Sequence, residues 1–68
     1  MPKKIRELKA MLRKMGFYAR PGKGSHTVWE HPNLPGMVVL AGGDGDDAEL
    51  YQEKDVRNIL RKLKEVQE

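Results

Sequence analysis

The chain has 68 residues, a formal net charge of +3 and no cysteine, so it has room for one hydrophobic core and no disulfide to stabilise it. It contains no run of about 18 apolar residues, which argues against a transmembrane helix. We therefore expect a single domain over residues 1–68 that is soluble and works in the cytoplasm.

The first part of the chain is much more basic than the rest. Residues 1–26 hold eight lysines and arginines and one acid, a charge of +7, whereas residues 27–68 hold five bases and nine acids, a charge of −4. Such an imbalance favours a basic end that binds a polyanion such as nucleic acid. A lysine-rich helix face that is merely solvated explains the charge equally well, so charge alone does not decide the function.

An amphipathic helix is predicted from Lys3 to Met15. Its apolar residues recur at the spacing of one helix face, and they are Ile5, Leu8, Leu12 and Met15. The opposite face is basic and includes Lys9 and Arg13. Gly16 is the predicted end of the helix, because a residue without a side chain adopts the left-handed cap at low cost.

Three β-strands are predicted next, over residues 17–20, 26–30 and 37–41. A Pro21-Gly22 turn separates the first two, and the prolines and the glycine of residues 31–36 are expected to interrupt the chain before the third. Short consecutive strands joined by tight turns indicate an antiparallel meander.

A second helix is predicted from about Gln52, after a flexible acidic loop at residues 42–47. Its apolar stripe consists of Val56, Ile59, Leu60, Leu63 and Val66. The resulting α-β-β-β-α order predicts an α+β fold, in which two helices cover one face of a three-stranded antiparallel sheet.

Neither the acidic loop nor the histidines fit a metal site. The loop departs from the EF-hand calcium pattern, which requires glycine where this chain has Glu49. His26 and His31 are five residues apart and have no cysteine beside them, which is not the spacing of a zinc site. We therefore expect a hydrated loop, no bound metal and no cofactor.

A set of short motifs runs through the chain from the end of the first helix onward. They are Lys23-Gly24-Ser25-His26, Val28-Trp29, His31-Pro32, Val38-Val39, Glu49-Leu50 and Arg57-Asn58-Ile59-Leu60. In this order, and over nearly the whole chain, they resemble the HicA toxin family. Two places depart from its pattern: Thr27 stands where many members have a second histidine, and residues 40–43 replace a common proline and histidine.

The resemblance implies both a fold and a function. The fold is similar to that of double-stranded-RNA-binding domains, and the function is that of the toxin in a type II toxin–antitoxin pair. Such toxins cleave messenger RNA, and a HicB-type antitoxin binds and inhibits them. The family's catalytic histidine is the one in the Gly-Ser-His motif, which is His26 in this sequence.

RNA cleavage without a metal requires proton transfer at the 2′-hydroxyl or at the leaving oxygen. An imidazole with an ordinary pKa of about 6.5 suits this task, so we predict His26 as the catalytic acid/base. Lys23 and Arg20 are predicted to hold the scissile phosphate and to favour the neutral imidazole. The other predicted RNA or phosphate contacts are the backbone N–H groups of Gly22 and Gly24, together with Ser25, Lys9 and Arg13.

Plainer interpretations remain open at this stage. Without the resemblance, His26 is an ordinary histidine at the start of an exposed strand and His31 is a turn residue. Trp29 fits the core better than a base-stacking surface, which is the other use of an aromatic residue in RNA binders. For the chain as a whole, the alternatives are a non-catalytic RNA-binding module of the same fold and a protein-interaction domain with a basic surface.

Overall fold

The computed structural model describes residues 3–67, so residues 1, 2 and 68 of the predicted domain lie outside the described part. In chain order the elements are helix α1 (Ile5–Lys14), strands β1 (Tyr18–Pro21), β2 (Thr27–His31) and β3 (Leu34–Leu40), and helix α2 (Leu50–Gln67). The strands pair antiparallel in the order β1-β2-β3. The predicted α+β fold is confirmed. Neither helix of residues 3–67 is both long and apolar enough to cross a membrane.

The hydrophobic core lies between the helices and one face of the sheet. It consists of Ile5, Leu8, Leu12, Phe17, Trp29, Leu34, Val38, Leu40, Ala48, Val56, Ile59 and Leu63. Burial alternates along β2, where Trp29 is buried on the helix side and Val28 is only half-buried on the other side. Both helices therefore cover the same face of the sheet. Each large apolar side chain buried there contributes about 1.5–3 kcal/mol.

Helix α1 ends at the glycine that the sequence indicates. The backbone N–H of Gly16 donates to the Arg13 carbonyl at 3.0 Å, and that of Phe17 donates to the Leu12 carbonyl at 3.0 Å. These are the two hydrogen bonds of a Schellman motif, which requires a left-handed residue between them, and Gly16 has a φ of +92°. The motif turns Phe17 back into the core, where it is buried.

The turn between β2 and β3 is tighter than expected, and the interruption predicted over residues 31–36 is wrong. Only Pro32 and Asn33 lie outside the strands, and β3 begins at Leu34. Pro35 is tolerated within β3 because β3 is an edge strand. No further strand pairs with its outer side, so the N–H that proline lacks is not needed there. The register shift between Trp29 and His31 accommodates the irregular backbone.

Helix α2 begins at Leu50, two residues earlier than predicted. The backbone N–H of Glu49 donates to Oε1 of Gln52 at 2.8 Å, which is one half of a capping box. The other end of the same amide donates from Nε2 to the Ala41 carbonyl at 3.1 Å. Gln52 is buried, so its two hydrogen bonds fix the start of α2 against the end of β3.

The acidic loop between β3 and α2 packs against the start of α1. The backbone N–H groups of Ile5 and Arg6 donate to the carbonyls of Asp46 and Asp44 at 2.9 and 3.2 Å. A helix N-terminus leaves such N–H groups without partners inside the helix, and here the loop supplies the acceptors. The loop is therefore a structural cap, which the prediction of a flexible, hydrated segment missed.

Candidate active site

His26 lies in the exposed loop between β1 and β2, directly before the first residue of β2. The strands are paired up to Pro21 and Thr27, so the sheet holds both ends of this loop. The backbone N–H of Gly22 donates to the His26 carbonyl at 2.9 Å, and the N–H of His26 donates to the Lys23 carbonyl at 3.1 Å. These bonds fix the His26 backbone although its side chain is exposed.

The loop contains a tight turn that depends on two glycines. Gly24 has a φ of +62°, and it occupies the first central position of the Lys23–His26 turn, where a type II′ turn favours glycine. At Gly22 the requirement is space, because an added Cβ would lie 3.0 Å from the His26 carbonyl oxygen and 3.2 Å from its Cβ. The Pro-Gly-Lys-Gly-Ser segment thus places the histidine.

The imidazole of His26 is oriented by a contact to its own turn. Its Nδ1 lies 2.8 Å from the Lys23 carbonyl oxygen, which can only accept a hydrogen bond. Nδ1 must therefore carry the proton in the neutral ring, and Nε2 then presents its lone pair away from the turn. A lone pair held in this way is what a general base requires.

Three predicted phosphate contacts lie in the same turn as His26. Lys23, Gly24 and Ser25 are all exposed. Within the described residues, the backbone N–H groups of Gly24 and Ser25 form no hydrogen bond, so both can donate to an anion. The predicted donor at Gly22 is wrong, since its N–H is used by the His26 carbonyl.

Arg20 lies on β1, on the sheet face that the helices leave open. Its Nε is 2.5 Å from Oε2 of Glu30 on β2, and its side chain remains 59% exposed. The ion pair holds the guanidinium over the sheet, and a phosphate would have to share it with the carboxylate. The charge near His26 is therefore smaller than the sequence count suggests.

Lys9 and Arg13 lie on α1, away from the His26 loop in the chain. Nζ of Lys9 is 2.7 Å from Oδ1 of Asp44, and the lysine side chain is only 14% exposed. Cζ of Arg13 lies 5.2 Å from the centre of the Trp29 ring, a cation–π arrangement. The structure thus brings neither residue together with His26, and it gives each of them an internal partner.

A groove of about 600 Å³ is lined by His26 together with residues of β3 and α2. One wall is formed by β3 and includes Met37 and Val39, while the other is formed by α2 and includes Tyr51 and Asn58. These four side chains were not predicted as site residues. A volume of this order accommodates a small ligand or one unit of a polymer.

The comparison with protein families identifies the chain. A family described as the HicA toxin of bacterial toxin–antitoxin systems matches residues 5–65, which is nearly the whole sequence. The chain belongs to the HicA toxin family. No match was found among curated proteins or among solved structures. Membership of a toxin–antitoxin family implies an antitoxin partner.

The second histidine of this HicA-family chain is structural. His31 is buried and packs edge-on against Phe17, with ring centres 5.1 Å apart. Its Nδ1 accepts a hydrogen bond from the backbone N–H of Asn33 at 3.0 Å, which secures the β2–β3 turn. His31 therefore stabilises a turn, as the plainer interpretation of the sequence predicted.

Thr27, the residue that the resemblance marks as a departure from the family pattern, has a structural role. Trp29 is buried, as the plainer interpretation has it, and its Nε1 donates to Oγ1 of Thr27 at 2.9 Å. Thr27 in turn donates to the Leu40 carbonyl at 3.4 Å. The threonine thus satisfies the indole N–H of the core tryptophan.

Sequence reasoning also missed a basic stripe on α2. Arg57, Arg61 and Lys64 recur at helical spacing and surround Met15 and Leu60 in a shallow cavity of about 500 Å³. Within residues 3–67 none of these three cations forms an ion pair. The signal was present in the spacing, but the net charge of −4 over residues 27–68 concealed it.

Proposed function

We propose that this HicA-family chain is an endoribonuclease toxin that cleaves messenger RNA without a metal and uses His26 as its catalytic acid/base. The observation that carries the proposal is the orientation of His26, whose Nδ1 is held by the Lys23 carbonyl while the exposed residue lines a groove. A fixed, accessible Nε2 suits proton transfer better than a mobile surface imidazole does.

The reaction follows from the chemistry of RNA. Nε2 of His26 removes the proton of a 2′-hydroxyl, and the 2′-oxygen attacks the adjacent phosphorus. The bond from phosphorus to the 5′-oxygen breaks, and the leaving oxygen takes a proton from His26 or from water. The products are a 2′,3′-cyclic phosphate and a new 5′-hydroxyl. The attacking oxygen belongs to the substrate, so no metal-bound water is needed as nucleophile.

The turn around His26 supplies groups for the negative charge of the phosphorane. Lys23 is exposed beside the histidine, and the backbone N–H groups of Gly24 and Ser25 are free to donate within the described residues. Donors fixed before the reaction stabilise a developing oxyanion without a reorganisation cost. Arg20 adds a fourth contact when phosphate displaces part of its pairing with Glu30.

The partner in this proposal is a HicB-type antitoxin that inhibits cleavage. The family implies an antitoxin, and the groove beside His26 exposes apolar side chains that a protein partner would bury. Met37 is 57% exposed and Val39 is 43% exposed. A bound antitoxin is expected to stop cleavage and to be released when it is degraded.

The test compares purified wild type with His26→Ala on a labelled single-stranded RNA in the presence of EDTA. We expect wild type to leave 2′,3′-cyclic phosphate ends and His26→Ala to be slower by about 100-fold or more. Both proteins should have the same circular dichroism spectrum. Equal cleavage rates would refute the role of His26. If neither protein cuts but both bind the RNA in a salt-sensitive way, the chain is a non-catalytic RNA-binding module.

A further inference from the structure

The groove next to His26 is built from two walls of different chemistry. The β3 wall is apolar, with Met37 and Val39 exposed to solvent. The α2 wall presents Tyr51, Asp55, Asn58 and Lys62, and these residues fall at i, i+4, i+7 and i+11 along one helix face. His26 lines the same groove, so a ligand bound there lies near the imidazole.

The polar groups of the α2 wall are free to bind a ligand. Within residues 3–67, Asp55, Asn58 and Lys62 form no ion pair and no side-chain hydrogen bond. Gln52 on the same helix offers a contrast, because it is buried and both ends of its amide are hydrogen-bonded. Helix α2 thus carries one polar residue that stabilises the fold and three polar residues that line the groove.

The groove matches the chemistry of a nucleobase. A base has flat apolar faces and a polar edge, and RNA-binding proteins stack it on aromatic side chains while hydrogen-bonding its edge. Tyr51 is 59% exposed and offers an aromatic ring. Asp55 accepts hydrogen bonds from amino groups, whereas Asn58 both donates and accepts. Lys62, one helical turn further on, suits the phosphate of the neighbouring nucleotide.

The backbone of β3 disfavours the other ligand that a free sheet edge attracts, an added peptide strand. Pro35 has no N–H to donate, and Gly36 has a φ of +99°, which is far from an extended conformation. Both residues line the groove. A peptide would therefore find an interrupted row of hydrogen-bonding groups, while a nucleobase needs only the side chains.

We infer that this groove is a nucleobase-binding site for single-stranded RNA, in which the base next to the scissile phosphate stacks on Tyr51 and is read at its edge by Asp55 and Asn58. The inference rests on the proposed ribonuclease function and adds to it the source of sequence preference. It predicts that cleavage depends on the identity of the base beside the cut, because the edge contacts differ among the four bases.

The first experiment measures binding without cleavage. All variants carry His26→Ala, and their affinity for short single-stranded RNAs of four compositions is measured by fluorescence anisotropy. Tyr51→Ala is expected to weaken binding by about tenfold or more, whereas Tyr51→Phe retains it, because one base–aromatic stack is lost only in the first. Tyr18→Ala is the matched control, since Tyr18 is 49% exposed but lies outside the groove.

The second experiment maps cleavage sites with His26 intact. Asp55→Asn and Asn58→Asp exchange acceptors and donors at the base edge, so each should change the base preferred beside the cut. Lys54→Ala, an exposed substitution on α2 outside the groove, should leave the preference unchanged.

The outcomes separate the groove from the proposed reaction. Equal RNA affinities of Tyr51→Ala and Tyr18→Ala would overturn the inference, as would a wild-type chain that binds none of the RNAs. If Tyr51→Ala weakens antitoxin binding but leaves RNA binding unchanged, the groove serves the antitoxin alone, and the inference is overturned as well. If RNA binding depends on Tyr51 but wild type never cuts, the nuclease proposal fails while the base site stands.

Discussion

At the scale of single residues, the two histidines differ because their rings have different partners. His26 is exposed, and its Nδ1 faces a carbonyl oxygen, so Nε2 carries the free lone pair. His31 is buried, and its Nδ1 accepts from the Asn33 N–H, so Nε2 carries the proton in the neutral ring. One ring is therefore available for chemistry, whereas the other belongs to the core and to a turn.

Replacing each histidine by alanine should separate these roles. We expect His31→Ala to lower the free energy of unfolding by about 1–3 kcal/mol, since it removes a buried ring and leaves the Asn33 N–H without its acceptor. His26→Ala should change it by less than about 0.5 kcal/mol, because the ring is exposed. Urea unfolding followed by circular dichroism measures both. A larger loss for His26→Ala would mean that the loop histidine is structural.

Gly16 is fixed by conformation and by space together. Its φ is +92°, and an added Cβ would lie 3.2 Å from Nε2 of His31. Gly16→Ala should therefore destabilise the fold by about 1–2 kcal/mol. Gly45→Ala is the control, because Gly45 has no positive φ and an added Cβ would meet nothing within 4 Å. If Gly16→Ala and Gly45→Ala had the same urea midpoint, this account of the end of α1 would be wrong.

At the scale of elements, the acidic loop and α1 form one unit. Asp44 pairs with Lys9, Asp47 pairs with Lys4, and loop carbonyls accept from the first N–H groups of the helix. The hydrogen bond from Lys9, followed by its positive charge, holds the pKa of Asp44 below its ordinary value of 3.8. A carboxylate with a lowered pKa stabilises the folded state above the pKa of the unfolded chain, and this contribution is lost as the pH falls.

Asp44→Asn should therefore lower stability at pH 7 and lower it less at pH 3, because pH 3 lies below the ordinary pKa of the carboxyl and part of the contribution has been lost there. The difference should also shrink in 1 M salt, because Asp44 is exposed and its ion pair is screened. Urea midpoints at the two pH values and the two salt concentrations measure the effect. A pH-independent difference would show that Asp44 acts through the loop backbone and not through its charge.

The elements also show what the sequence could predict. Period 3.6 in the apolar residues located both helices, and Gly16 located the end of α1, because these signals are local. The start of α2 required the contact of Gln52 with Ala41, and the extension of β3 through Pro35 required its position at the sheet edge. His26 was predicted as a site residue from a local motif. The groove was not, because its walls come from β3 and α2, which are distant in sequence.

At the scale of the whole molecule, folding redistributes the charge that the sequence divides into two halves. The basic first helix and the acidic loop are far apart in the chain but adjacent in the fold, so Lys4 and Lys9 are paired with carboxylates. Meanwhile Arg57, Arg61 and Lys64 form a basic stripe inside the half with negative net charge. A polyanion therefore meets a different surface from the one that the sequence count indicates.

Neutralising the loop should strengthen RNA binding. The double variant Asp44→Asn with Asp47→Asn raises the formal charge from +3 to +5, since two carboxylates are removed, and frees Lys4 and Lys9. We expect tighter binding at low salt, and a salt slope steeper by about 0.7 for each lysine that then contacts a phosphate of single-stranded RNA. Anisotropy titrations of the His26→Ala background between 50 and about 300 mM salt measure both quantities.

The control for this prediction is a variant with the same net charge in which carboxylates outside the acidic loop are removed. Glu53→Gln with Glu65→Gln also gives +5 but leaves Lys4 and Lys9 paired with the loop. If freed lysines matter, the loop variant should gain more affinity and a steeper slope than the control, because counterions are released only where a cation contacts a phosphate. Equal gains would instead assign the effect to the general field of the protein, and Lys9 would then have no part in RNA binding even when it is unpaired.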